Sequence, residues 1–166
     1  MKLSQIIPGI AARYVGRHES PLGSNRGAEL AEFFAADSYL SGEHDGGYPW
    51  CAAFVCRVIQ VAMQELPGPW TFKRPTTPSA FGFEDWSRAQ DKSTWTLKPP
   101  GRDIESGDIV IFNFSHIGIA TSSPDGTGMF MSCEGNTNAL GSREGTHVLV
   151  KRRSIDSVRC RIRFRV

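Results

Sequence analysis

The sequence of 166 residues predicts an α+β fold, with helices from the first half packed on an antiparallel sheet of about five strands from the second. Apolar residues in the first half recur at helical spacing, whereas the second half holds short β-branched runs between turns. The last run, residues 159–166, alternates arginines with apolar residues. Such alternation is typical of an antiparallel strand with one buried face.

Three helical segments are predicted in the first half. Residues 27–40 carry their large apolar side chains on one side, and residues 50–63 are apolar nearly all round, which indicates a buried helix. The Pro- and Gly-rich residues 66–69 end that helix. Residues 42–49, which precede it, form a turn-rich loop, and a short helix is predicted within residues 78–90.

Five strands are predicted in the second half, and turns separate them. They cover residues 108–114, 116–121, 129–134, 147–153 and 159–166. The second and third are expected to pair as a hairpin, so the end of one lies near the start of the other. This pairing brings Glu134 close to His116, and Gly118 lets another backbone or a substrate approach.

Length, composition and charge indicate one globular domain covering residues 1–166. Hydrophobic residues make up 40% and charged residues 22% of the chain, an ordinary globular mix. The net charge of +2 does not imply a nucleic-acid partner. Basic residues outnumber acidic ones from Lys151 to the carboxyl terminus. A solvated strand face is the favoured explanation, and a basic edge for an anionic surface such as a bacterial envelope is the alternative.

No membrane span or signal peptide is expected. No apolar run approaches the ~20 residues that cross a bilayer. Residues 1–9 lack a sustained apolar core and are interrupted by Pro8 and Gly9. We therefore expect synthesis in the cytosol, with export by other components if the protein acts outside.

The four cysteines form no CxxC pair and no Cys/His zinc spacing, so free thiols and no metal are expected. Cys56, Cys133 and Cys160 have apolar neighbours and are interpreted as core residues. Cys51 differs because it opens the buried helix, where the helix dipole and free N–H groups favour a nucleophilic thiolate. The alternative is an ordinary buried cysteine at a helix start.

His116 is the candidate base for Cys51. It begins a strand directly after a turn, where its ring can reach over the sheet edge and take the thiol proton. Glu134 can hold the imidazole in the useful tautomer, and Asn136 can do so through its amide oxygen. The alternatives are a strand-end histidine, a turn-capping acid and a turn-forming asparagine. The weaker histidine candidates are His18, His44 and His147.

Four blocks of the sequence together resemble the CHAP family of cysteine, histidine-dependent amidohydrolases and peptidases. They are GYPWCAAFV (47–55), SGDIV (106–110), HIGI (116–119) and EGNTN (134–138). The tracts GSNRG (23–27) and GSREG (141–145) also resemble tracts in phage and bacterial members. The resemblance spans residues 19–153, most of the chain.

The resemblance implies a papain-like α+β fold and cleavage of an amide bond in peptidoglycan, between sugar and stem peptide or within the peptides. Cys51 matches the family nucleophile, His116 the base, Glu134 the orienting residue and Asn136 a further polar position. The backbone N–H of Cys51 is the expected oxyanion donor. No cofactor is implied. Some members bind calcium near the cysteine loop, but residues 42–47 lack the alternating acids of a calcium loop, so no metal is predicted.

Three functions remain open. The first is a peptidoglycan hydrolase without a separate wall-binding domain, acting on the wall after holin-type release as a phage lysin, or after non-classical export as an antibacterial effector. An effector implies a delivery or immunity protein as partner. The second is an intracellular amidase on a small γ-linked peptide or a peptide–polyamine conjugate. The third is a non-catalytic wall-binding module on the same fold.

Overall fold

The computed structural model describes residues 1–38, 46–91, 95–141 and 144–166. Residues 39–45, 92–94 and 142–143 lie outside this description. They include His44, the end of the predicted 27–40 helix, most of the loop for which no calcium site was predicted, and part of the GSREG tract.

The described residues form four α-helices and a six-stranded antiparallel sheet, so the α+β prediction is confirmed. The helices are α1 (Leu3–Ala12), α2 (Ala31–Phe34), α3 (Cys51–Glu65) and α4 (Gly82–Ala89). The strands are β1 (Trp95–Lys98), β2 (Ile109–Phe112), β3 (His116–Ala120), β4 (Met129–Thr137), β5 (His147–Ser154) and β6 (Val158–Phe164). Their order in the sheet is β1-β6-β2-β3-β4-β5.

The sheet contains one strand more than the five predicted, and the additional strand is β1. It pairs with β6 from Trp95↔Phe164 to Lys98↔Arg161. With only four residues, it is too short to show a period of two. Its place in the sheet depends on its partner β6 and not on its own pattern.

The helix α1 was not predicted, because Pro8 and Gly9 suggested a break. Pro8 lies inside the helix, where the missing N–H costs about 3 kcal/mol. Leu3, Ile7 and Ile10 are buried against the core at helical spacing. Each contributes about 1.5–3 kcal/mol. Burial of this face therefore outweighs the cost of the proline.

The helix α3 is the central helix of the fold, as its apolar sequence predicts. Most of its side chains are buried, and it packs against α1, α2, β3 and β4. It ends at Glu65, directly before the predicted stop. Within the described ranges, none of the helices has the length and apolarity that a membrane crossing requires.

The arginine face of β6 is only partly solvated. Arg161 and Arg163 are largely covered, which corrects the predicted solvated face at these two residues, whereas Arg159 and Arg165 are exposed. β6 lies inside the sheet between β1 and β2. Arg161 is only 2% exposed, and Arg163 donates to Asp108 over 2.7 Å. Arg159 donates to Glu84 over 2.8 Å. Acidic side chains therefore pair with Arg159, Arg161 and Arg163, and the alternative of a basic edge stays a prediction.

Candidate active site

Cys51 is the first residue of α3 and lines a cleft of about 280 Å³. The first turn of α3 contains no acidic residue, so nothing within it offsets the positive end of the helix dipole. Cys51 is 5% exposed and belongs to the lining of this cleft. The other residues that line the cleft are Tyr48, Pro49, Pro78, Ser79, Ala80 and Ser115.

Trp50 and Gly135 bring β4 directly against the first turn of α3. The Trp50 side chain is fully buried, and its indole N–H donates to Oε1 of Glu19 over 2.9 Å. A Cβ on Gly135 would lie 2.8 Å from the Trp50 ring and 2.7 Å from Cβ of Phe54. Only glycine permits this approach, which carries the neighbouring Glu134 toward the helix start.

A tight hairpin between β2 and β3 positions His116. Phe112 pairs with His116, so only residues 113–115 connect the two strands. Ser115 has a φ of 59°, the left-handed conformation that a three-residue hairpin loop needs at its last position. His116 is therefore the first residue of β3, and its neighbour Ser115 lines the same cleft as Cys51.

The imidazole of His116 is hydrogen bonded to Glu134 in a fully buried pair. Nε2 of His116 lies 2.9 Å from Oε2 of Glu134, and both side chains have no exposed area. Nδ1 of His116 is buried and makes no hydrogen bond within the described residues. Because Nε2 is engaged, Nδ1 is the ring nitrogen left for the Cys51 thiol.

The electrostatic environment favours the charged form of His116. Burial alone lowers the pKa of His116, but the interactions of its ring with Cys51 and then Glu134 outweigh burial and raise the pKa to about 9. One of these two partners lies on α3 and the other on β4.

Gly118 allows Glu134 to reach His116. A Cβ on Gly118 would lie 2.4 Å from Oγ of Ser132 and 2.7 Å from Cγ of Glu134. The sequence suggested approach of a backbone or a substrate at this glycine. A backbone does approach, because the carbonyl oxygen of Cys133 in β4 lies 3.1 Å from the same Cβ position. Approach of a substrate there stays a prediction.

Arg153 is the member of the cluster that sequence reasoning missed. Its Nε donates to Oε1 of Glu134 over 2.8 Å, and its Nη2 donates to Oε2 over 2.5 Å. Burial raises the pKa of Glu134, but Arg153 and His116 together hold it below its usual value. In the sequence, Arg153 was noted only as one of the basic residues near the carboxyl terminus. Its contact with Glu134 was not predictable, because it depends on the register of β5 on β4.

Asn136 lies two residues beyond Glu134, at an irregularity of β4. The pairing of β4 with β5 shifts register between Glu134 and Thr137, and Asn136 is buried with a φ of 52°. Its carbonyl accepts from the Gly145 N–H over 3.0 Å. Glu134 or Asn136 was expected to orient the imidazole of His116. Glu134 makes the contact with Nε2, so the role of Asn136 stays a prediction.

The remaining cysteines and histidines lie outside this cluster. All four cysteines are free, and burial raises the pKa of Cys133 to about 12 and of Cys160 to about 11. Burial also raises the pKa of Cys56 far above its usual value. The rings of His18 and His147 face each other 5.3 Å apart. Within the described ranges, no three potential metal ligands come together.

Comparison with known proteins shows a similarity in fold. No family model matches the chain, and no curated protein matches it either. The fold is similar to the crystal structure of the wild-type endolysin LysIME-EF1, with a TM-score of 0.54 and 16% sequence identity. The similarity covers 98% of this chain but only 64% of the endolysin chain, so the chain spans less than two thirds of that protein.

Proposed function

We propose that the protein is a peptidoglycan hydrolase that cleaves an amide bond, with Cys51 as nucleophile and His116 as general base and acid. The observation that carries the proposal is the line of side chains from Cys51 through His116 to Glu134, which begins in an open cleft. A nucleophile, a base and a group that orients the base are the parts that cysteine amide hydrolysis needs.

The resting site is proposed to be a thiolate–imidazolium pair. With its pKa raised to about 9, His116 is protonated at neutral pH. Cys51 is the neighbouring acid that can supply this proton, and the dipole of α3 favours the resulting thiolate. Glu134 stabilises the imidazolium through Nε2, which leaves Nδ1 as the ring nitrogen that can serve the sulfur.

The reaction follows from this pair. The Cys51 thiolate attacks the amide carbonyl carbon, and the carbonyl oxygen takes up the negative charge near the Cys51 backbone N–H. The C–N bond breaks as His116 gives its proton to the leaving amine, and a thioester remains. Water then attacks the thioester while neutral His116 takes one of its protons. The carboxylic acid leaves, and the thiolate–imidazolium pair is restored.

Two independent observations support peptidoglycan as the substrate class. The motifs around Cys51, His116 and Glu134 resemble those of the CHAP family, and the fold is similar to that of an endolysin. Apart from Cys51, the described residues that line the cleft are uncharged, which suits a peptide backbone with small side chains. We further propose action on the cell wall, after release as a phage lysin or export as an effector.

Digestion of purified sacculi tests the proposal. The unmodified protein is expected to release new amino groups, and mass spectrometry of the muropeptides identifies the bond that is cut. Cys51→Ala is expected to release none while keeping the fold. Binding to sacculi without release would instead favour a wall-binding module. Hydrolysis of a γ-glutamyl amide without any effect on sacculi would favour the intracellular amidase.

A further inference from the structure

Glu134 is shared between two cations. Its Oε2 accepts from Nε2 of His116 over 2.9 Å and from Nη2 of Arg153 over 2.5 Å, while its Oε1 accepts from Nε of Arg153 over 2.8 Å. The carboxylate and the imidazole have no exposed area, and the Arg153 side chain is 12% exposed. A two-pronged guanidinium contact fixes the plane of a carboxylate, which a single contact does not.

Arg153 is itself held in place by the groups that surround His116. Its guanidinium lies 5.2 Å from the ring centres of both Phe112 and Phe114, and its Nη1 donates to the Gly141 carbonyl over 2.9 Å. The same two rings stack on the imidazole, at 6.0 Å for Phe112 and 5.7 Å for Phe114. One aromatic pair therefore contacts both cations that share Glu134.

We infer that Arg153 is a positioning residue for the reaction at Cys51: it fixes the orientation of Glu134 toward His116 and sets the pH range over which the thiolate–imidazolium pair exists. The inference rests on the proposed function for the reaction, but its effect on the pair is measurable without any substrate.

The positive charge of Arg153 favours formation of the Cys51 thiolate. With the proposed pair formed, Cys51 and Glu134 carry negative charge, and His116 and Arg153 carry positive charge, so the buried cluster is neutral. Removal of the Arg153 charge leaves a net negative cluster, which binds protons more readily. The ionisable groups concerned are Cys51 from α3, His116 from β3, and Glu134 with its neighbour Cys133 from β4. A net negative cluster opposes release of a further proton, so thiolate formation at Cys51 requires higher pH.

Alkylation of Cys51 with iodoacetamide as a function of pH tests the inference. The other three cysteines are buried with raised pKa values, so Cys51 dominates the reaction. For Arg153→Met, we expect the midpoint of the pH profile to rise by about one unit or more. Arg153→Lys keeps the charge but not the two-pronged contact, so its midpoint stays near that of the unmodified protein while hydrolysis of sacculi falls about tenfold.

The matched control is Arg152→Met, because Arg152 is the exposed neighbour that pairs with Asp125 over 3.0 Å. Its alkylation profile and hydrolysis are expected to stay unchanged. Arg153→Gln carries the same expectation as Arg153→Met and provides the measurement if the methionine variant is unfolded.

A midpoint that stays at the unmodified value in the charge-removing variant would overturn the inference. An unmodified protein that leaves sacculi intact would contradict the proposed function alone, since the alkylation result does not depend on sacculi.

Discussion

Nε2 of His116 lies 2.9 Å from Oε2 of Glu134, and neither side chain has any exposed area. A buried imidazole and a buried carboxylate in contact stabilise each other's charged forms, because neither has water to do so. The contact also leaves Nδ1 for Cys51. The chemistry proposed for Cys51 therefore depends on a residue from a different strand that lies on the far side of the imidazole.

Replacement of Glu134 by glutamine is expected to reduce hydrolysis of sacculi by roughly 10²-fold or more. Glutamine keeps the shape of the side chain but removes the charge that stabilises the His116 cation. The measurement is the initial rate of amino-group release per folded molecule. Glu65→Gln is the matched control, because Glu65 pairs with Arg13 on the surface. Equal rates for Glu134→Gln and the control would contradict the role of Glu134.

The rate of hydrolysis is expected to fall as pH rises through about 9. His116 must carry a proton to release the amine, and its pKa is raised from 6.5 to about 9. The proton is therefore present below this range and lost above it. In Glu134→Gln, the pKa of His116 decreases, so the alkaline limb moves to lower pH. Rates measured from neutral to alkaline pH check this, and an alkaline limb near 6.5 in the unmodified protein would count against the raised pKa.

Cys51→Ser is expected to lose activity by about 10³-fold or more and to keep the fold. A serine hydroxyl is far less ionised than a thiol and therefore a poor nucleophile here. Cys56→Ser is the comparison, because Cys56 lies five residues further along α3 in the core. That variant is expected to lose thermal stability but to retain activity per folded molecule. Activity that survives in Cys51→Ser but is lost in folded Cys56→Ser would show that Cys51 is not the nucleophile.

Gly118→Ala is expected to reduce activity at least tenfold and stability by about 1–3 kcal/mol. The added methyl group would lie 2.7 Å from Cγ of Glu134, so the carboxylate must move away from His116. Gly126→Ala is the control, because nothing lies within 4 Å of the position that its Cβ would occupy. Denaturant unfolding and amino-group release measure the two effects. Full activity in Gly118→Ala would show that Glu134 tolerates displacement.

The parts of the fold with a strong local pattern were predictable from sequence. The apolar helix α3 and the alternating strand β6 both form close to their predicted positions. α1 was missed because the local cost of Pro8 is visible in the sequence, whereas the buried face that outweighs it depends on tertiary contacts. β1 was missed because it is short and depends on β6 as a partner.

The contacts of the candidate site that were predictable from sequence are those between residues on strands that follow each other in the chain and pair in the sheet. Glu134 lies near His116 because β3 and β4 are neighbours. The contribution of Arg153 was not predictable, since it requires the register of β4 on β5, in which Phe130 pairs with Arg153. A shift of one residue would place Arg153 on the opposite face of the sheet, and no local pattern fixes that register.

The most direct test of the Cys51–His116 interaction is an NMR titration of the His116 ring in the unmodified protein and in Cys51→Ala. The pKa of His116 is expected near 9 in the unmodified protein, because Cys51 and Glu134 both stabilise the imidazolium. In Cys51→Ala, it is expected to fall by about one unit or more, because one of the two partners is lost. A ring that titrates near 6.5 in both proteins would contradict the account, because the thiol and the imidazole would then not interact.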